Sequence, residues 1–342
     1  MGEYFALDIG TKSLRVVQLS AHGSDQWSLV HVGYLAVDPR VIASDSSEAR
    51  KKLGQAIMSV VSQAGISATN CAVGLASNKT FTTVIEVPKM SPTELAGTLK
   101  YQADQYIPMS LDDAKLDWAV LGDSPKDPKK DEVLLASVAQ TYVEGLVEMI
   151  DSLGFNVVGA EPDAVAMVRA LLPDNVNDAR MILDIGELST DVIVTINSTP
   201  RLVRTLPMGL QTLTRAIVQN LNIKDEQAQQ FIMKFGLAQD RLEGQVYRAL
   251  QSPLENFATE LVKSINFFQS KYNTHTIAAV HLSGFAAVIP RLSEYVAAKT
   301  KVPVQIASPW QKVSMPDSER QRLQTVEYEF STAVGLAQRI ER

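Results

Sequence analysis

The chain of 342 residues is 46% apolar and 20% charged, with 32 Lys+Arg against 38 Asp+Glu, one cysteine and four scattered histidines (His22, His31, His275, His281). These figures argue against an internal disulfide and a thiolate or paired-histidine zinc centre, and the net charge of −6 argues against a nucleic-acid binder. No apolar run approaches the roughly 20 residues that span a bilayer, and Met1-Gly2-Glu3-Tyr4 lacks the basic and apolar regions of an export signal, so a cytoplasmic protein without direct membrane insertion is expected.

In chain order, three β-rich runs at 4–9, 13–19 and 27–37, separated by Gly10 and a polar stretch at 21–26, predict a meander. A helix over 48–64 follows, with Leu53, Ile57, Val60, Val61 and Ala64 on one face, then a short strand at 71–75. A self-contained α/β unit comes next: strand 81–87, helix 92–106, strands 115–121 and 132–138, and helix 141–153. Its first helix opens at Ser91-Pro92-Thr93-Glu94, an N-cap hydroxyl, a proline at the first helical position and a reciprocal carboxylate. Leu95, Leu99, Ala103 and Tyr106 share a face of that helix. The hairpin tip at 122–131, charged and rich in turn formers, is expected to stand in water.

Strand 156–160 and helix 163–172 lead to a break at 173–175, a candidate domain boundary. The opening pattern then begins again with strands 181–185, 191–197 and 201–207. A mostly helical region over 210–272 contains Ser252-Pro253-Leu254-Glu255, the same cap chemistry, which predicts a helix start there. Strand 278–282, a turn at Gly284, helix 291–299, strand 304–306 and a helix over 329–340 complete the pattern. Strands alternating with helices in both halves predict an α/β fold.

Two segments carry the chemistry. Leu7-Asp8-Ile9-Gly10-Thr11-Lys12-Ser13-Leu14-Arg15-Val16-Val17 and Leu183-Asp184-Ile185-Gly186-Glu187-Leu188-Ser189-Thr190-Asp191-Val192-Ile193 agree at six of eleven positions. Each ends an apolar strand in a carboxylate, turns through a glycine, offers hydroxyls and re-enters a β-branched strand. A nucleotide suits this pattern, because glycine lets backbone approach an anion, successive turn N–H groups form a nest, and hydroxyls add donors. Asp8 and Asp184 would then meet across a cleft and hold Mg²⁺ through its retained waters. The competing reading makes each aspartate the cap of its own hairpin.

With these motifs the sequence resembles the actin-like ATPases and, among them, the PilM family of type IV pilus assembly, relatives of the cell-division protein FtsA. The resemblance spans nearly the whole chain. Asp8-Ile9-Gly10-Thr11-Lys12-Ser13 is similar to the first phosphate motif and Asp184-Ile185-Gly186-Glu187-Leu188-Ser189-Thr190 to the second. Glu161-Pro162-Asp163-Ala164-Val165-Ala166 resembles the first connecting helix, Leu282-Ser283-Gly284-Phe285-Ala286-Ala287-Val288-Ile289-Pro290 the adenosine motif, and Ser331-Thr332-Ala333-Val334-Gly335-Leu336-Ala337 the second connecting helix.

The resemblance implies an actin-like (ribonuclease H-like) two-domain ATPase fold with an FtsA-type inserted subdomain. The first domain would comprise 1–78, 154–177 and 326–342, the insertion 79–153, the second domain 178–214 and 273–325, and a helical subdomain 215–272. It implies ATP and Mg²⁺ as ligands, with Asp8 and Asp184 at the metal. Gly10, Thr11, Lys12, Ser13, Gly186, Glu187, Ser189 and Thr190 would surround the phosphates, and Ser283, Gly284 and Phe285 the adenosine. Phe285 stands where relatives carry a further glycine, which restricts backbone approach at that point. Lys12 replaces a small residue of several relatives and either reaches a phosphate as an ammonium donor or faces solvent. Glu161 is expected to position the attacking water, with Asp163 as the second candidate.

An extra unit after the fourth strand, with nothing between the third strand and the first long helix, is the FtsA and PilM arrangement rather than that of MreB and actin. Gln105-Tyr106-Ile107-Pro108 is also PilM-like, and no amphipathic membrane helix follows the second connecting helix, as FtsA would have. The implied function is an ATP-binding component of the pilus inner-membrane platform, at most a slow ATPase. It would dock the N-terminal cytoplasmic tail of PilN between the first domain and the insertion, and nucleotide would close the domains. Other platform proteins, motor ATPases and self-association are further partners this allows. An FtsA-like filament protein and a small-molecule kinase of the same superfold are the alternatives.

Overall fold

The computed structural model describes residues 3–23, 26–174 and 176–339. Met1 and Gly2, Ser24 and Asp25 of the polar stretch, Asn175 of the predicted break and Ile340 at the end of the last predicted helix lie outside the described residues.

β1 (Tyr4–Ile9), β2 (Ser13–Ala21) and β3 (Trp27–Ala36) form the expected antiparallel meander, and α1 (Pro39–Ala43), α2 (Ser47–Gln63) and β4 (Asn70–Leu75) follow. The Ser46 hydroxyl accepts the Ala49 N–H at 3.2 Å and starts α2, which buries Leu53, Ile57, Val60 and Val61. β5 (Thr80–Pro88), α3 (Pro92–Gln102), β6 (Ala114–Asp123), β7 (Lys130–Ala139) and α4 (Gln140–Ser152) come next, before β8 (Asn156–Pro162) and α5 (Asp163–Leu171). The second half runs β9 (Ala179–Ile185), β10 (Thr190–Ile196), β11 (Thr199–Leu206), α6 (Leu210–Leu221), α7 (Asp225–Phe235), α8 (Gln245–Lys271), β12 (Ile277–Gly284), α9 (Leu292–Thr300), β13 (Val304–Ile306), β14 (Val313–Ser314), α10 (Asp317–Leu323) and α11 (Ser331–Ala337).

One sheet has the order β14-β3-β2-β1-β4-β8 and the other β11-β10-β9-β12-β13. In each, a meander is extended by parallel strands on the side of its first strand. Asp8 lies opposite Arg15 and Asp184 opposite Asp191, so the two similar segments keep one register as well as one topology. The repeat in the sequence is a repeat of the fold.

The sheets are apolar on both faces, as parallel strands between helical layers must be. Ala6 and Val17 of the first sheet and Ile182 and Ile193 of the second share one core with α5 and α11. On its other face the first sheet buries Phe5, Leu7 and Val73 against α2 and α4, and the second buries Met181, Leu183 and Val280 against α6 to α9. The small sheet β5-β7-β6 has a core of its own under α3, from Ile85, Val87, Leu95, Leu99, Val133 and Leu135.

Several expectations are corrected. α8 does not begin at Ser252; it starts at Gln245 and runs through Pro253. α3 ends at Gln102 in a short 3₁₀ turn, so Tyr106, expected to share a face of this helix with Leu95 and Leu99, lies beyond it and is exposed. α4 bridges the small sheet and the first sheet: its Leu146 and Ile150 pack with Ile57, and its Glu144 pairs with Lys115 of β6 at 3.2 Å. The hairpin tip stands in water as expected, with Gly122, Asp123, Pro125, Lys126, Pro128 and Lys129 exposed, except at Ser124, which is buried and donates to Glu86 at 3.1 Å. The last described helix is shorter than predicted, because a 3₁₀ turn occupies Glu327–Glu329.

Candidate functional site

The turns after β1 and β9 close alike. The Gly10 N–H donates to the Ser13 carbonyl at 3.0 Å and the Gly186 N–H to the Ser189 carbonyl at 2.9 Å. They meet across the cleft, where Lys12 Nζ forms an ion pair with Glu187 Oε1. The Lys12 side chain stays 40% exposed while it spans from one turn to the other.

On the first wall, buried Asp8 pairs with Arg15 Nε at 2.9 Å, and Arg15 Nη1 reaches Glu329 at 3.3 Å. Glu329 also accepts from the Ser13 hydroxyl at 3.0 Å and the Tyr34 hydroxyl at 3.3 Å. The Arg15 guanidinium lies over Gly10, where any side chain would overlap it. On the second wall, desolvation pushes Asp184 up to about 7, while a hydrogen bond from Ser283 opposes the shift. Gly284, at φ +59°, brings its backbone so close that a Cβ would lie 2.9 Å from Asp184 Oδ1. Asp191 accepts from Thr205 at 2.7 Å and is also raised by desolvation.

Asp163, the first residue of α5, sits among these groups. Desolvation raises it well above the usual carboxylate range, and the charges of Asp8, Asp191 and Asp184 add to this against Arg15. Its Oδ1 is sealed from solvent and has no hydrogen-bond partner among the described residues, and Gly74 leaves it room, since a Cβ there would come within 2.5 Å.

Glu161 is elsewhere. Both its oxygens pair with Arg169, at 2.6 and 3.0 Å, so the first-choice catalytic carboxylate is already committed to a guanidinium. Two expected phosphate donors are likewise engaged: Ser13 by Glu329, and fully buried Thr190 by the Met208 carbonyl. Ser283 exchanges a 2.6 Å hydrogen bond with Ser331 of α11, and Phe285 packs on Tyr328 with ring centroids 5.4 Å apart. Thr11 and Ser189 remain half-buried on the turns.

Arg15, Asp191 and Glu329 were not singled out from the sequence. The aligned repeat held a signal for the first two, which face Asp8 and Asp184 in register, but none for Glu329. Among the described residues no three His, Cys, Asp or Glu side chains converge on one point. Two facing aspartates, an unpartnered carboxylate oxygen and cationic side chains over the turns do fit a hydrated divalent cation with a phosphate-bearing ligand.

A separate cavity of about 580 Å³ opens between the small sheet and the first sheet. Leu134, Ala136 and Val138 of β7, Val143 and Val147 of α4 and Val165 of α5 give it apolar walls. Asp117, Glu144, Glu148 and Glu161 border it against one cation, Lys115. No described helix is long and apolar enough to cross a membrane.

The family described as type IV pilus assembly protein PilM matches residues 6–341. A solved PilM-PilN type IV pilus biogenesis complex is similar over 98% of this chain and 97% of that chain, at 22% identity and a TM-score of 0.83. MreB 5 of Spiroplasma citri bound to AMPPNP is similar over 97% and 94%, at 12% identity and 0.57. The ethanolamine utilization protein EutJ from Carboxydothermus hydrogenoformans is similar over 98% and 88%, at 15% identity and 0.56. These likenesses establish the actin-like ATPase fold.

Proposed function

The chain belongs to the type IV pilus assembly protein PilM family, and from that premise we propose that it binds Mg²⁺-ATP between its two sheets and docks the N-terminal cytoplasmic tail of a PilN-type protein. The observation that carries the nucleotide reading is the pair of turns with one geometry, one on each sheet, facing each other with Asp8, Asp163 and Asp184 between them. The AMPPNP carried by the similar MreB 5 supports this ligand class, and the PilN of the similar complex supports the partner.

Asp8 and Asp184 would hold the hydrated ion from opposite walls. Turn N–H groups, Thr11, Ser189 and Lys12, once released from Glu187, would receive the phosphates, and backbone at Ser283 and Gly284 would face the sugar, with Phe285 narrowing that end. Asp163 replaces Glu161 as the group that would orient a water. Bound Mg²⁺-ATP would supply the phosphoanhydride and the metal charge; the chain's part is to neutralise, orient and close. Closure would draw the two sheets together across the turns and alter how the tail cavity is presented, with the protein peripheral to the inner membrane through its partner.

Thermal unfolding with and without Mg²⁺-ATP tests the nucleotide reading. At one hundred times the dissociation constant one site adds about 2.7 kcal/mol to stability. The parent transition should move up accordingly, and Asp8→Asn and Asp184→Asn should lose most of the shift. A parent transition unmoved at saturating ligand would sink the reading.

A further inference from the structure

Among the described residues β6 is the edge of the small sheet, paired with β7 alone. The Trp118 N–H donates to the side chain of its neighbour Asp117 at 2.9 Å, so this amide faces away from β7. By the two-residue period of a strand, the backbone groups of Leu116 share that edge. Concavities flank the edge on both faces of the sheet. The 580 Å³ cavity lies on the face of Leu134 and Ala136. A smaller one, of about 340 Å³, lies on the face of α3, lined by Val87, Leu95, Trp118 and Val120. Trp118 borders both, and Val120 is 54% exposed on the same edge strand.

A long apolar edge left unpaired is a template for another strand. We propose that the PilN-type tail docks as a fourth strand on β6, its backbone pairing with Leu116 and Trp118 and its side chains alternating between the two cavities. This rests on the tail-docking reading above. Charge selects a tail over a second copy of this chain. Around the larger cavity Glu144 pairs with Lys115 at 3.2 Å and Glu161 with Arg169, which leaves Asp117 and Glu148, together with Asp131 at the smaller one, to favour a basic segment. Cytoplasmic segments beside a membrane span are enriched in Lys and Arg, whereas this chain is acidic, with a net charge of −6. Asp117 serves as a placeholder, satisfying the Trp118 N–H until a partner carbonyl does.

The test titrates synthetic peptides, copying the cytoplasmic tail of the PilN-type protein encoded beside this chain, into the full chain. N-methylation at every second peptide position should weaken binding about two- to tenfold per site, with the intervening positions tolerant. Amide exchange at Leu116 and Trp118 should slow in the complex. Tight binding without alternation and without slowed exchange overturns strand addition and leaves tail docking standing. Failure of every unmodified peptide to bind overturns tail docking itself. Protection of the β6 amides that rises with protein concentration in the absence of peptide assigns the edge to a second copy and overturns the proposal.

Discussion

A carboxylate oxygen sealed from water, unpartnered and repelled by neighbouring aspartates costs stability wherever it sits. Asp163 bears that cost in the nucleotide-free protein, so Asp163→Asn should raise the unfolding free energy by about 1 kcal/mol while removing any ATP turnover and sparing ATP binding. Glu161→Gln should do the reverse: it leaves Arg169 without its carboxylate, lowers stability by about 1–3 kcal/mol and has no selective effect on turnover. Thermal unfolding and phosphate release, measured on both variants, separate the two residues. His281 gives a pH signature outside the cleft. Burial and then the nearby Arg180 hold its imidazole down to about 4, against 6.5 in the unfolded chain. As pH falls from 6.5 towards 4, the unfolded chain takes up a proton that the fold refuses. Stability should therefore drop over that window by about 2–3 kcal/mol. Melting from pH 7 to 4.5 checks this, and His281→Gln should flatten the curve.

At the scale of elements, the crossing of α5 and α11 organises the cleft. Gly335 permits it, because a Cβ there would overlap the Ala166 carbonyl, and Arg169 ties the crossing by donating to the Gly335 carbonyl while holding Glu161. Gly335→Ala should cost about 1–3 kcal/mol as an overpacked contact, read from denaturant unfolding. The same scale explains why one cap motif was read correctly and its twin was not. Ser91 and Glu94 form the full reciprocal box and begin α3, with no apolar helical stripe preceding them. Ser252 carries the same letters, but Val246, Ala249 and Leu250 continue the buried stripe of Leu254 and Phe257 backwards past it. Burial along that stripe offsets the roughly 3 kcal/mol that an interior proline costs, so the helix runs through.

At the scale of the molecule, side chains distant in sequence hold the units together. Lys12 and Glu187 join the two turns. Glu132 of β7, 1% exposed, accepts from Tyr272 at 2.7 Å and pairs with Lys271 at 2.9 Å and Arg201 at 3.3 Å, which ties the small sheet to the second half of the chain. Because Glu187 occupies Lys12 and would repel phosphates, Glu187→Gln should tighten Mg²⁺-ATP binding several-fold, whereas Lys12→Ala should weaken it; calorimetric titration distinguishes the two signs. The sequence by itself determined the two related halves, the two glycine turns with their aspartates and the small α/β unit after the fourth strand. These depend on strand alternation, turn chemistry and apolar spacing, which act between near neighbours. Only the tertiary structure decided that Arg15 lies over Gly10, that Lys12 meets Glu187, that Asp163 joins the aspartates while Glu161 pairs with Arg169, and that β6 keeps an open edge between two cavities. Each of these depends on how elements far apart in the chain approach one another, and no local pattern of residues encodes that distance.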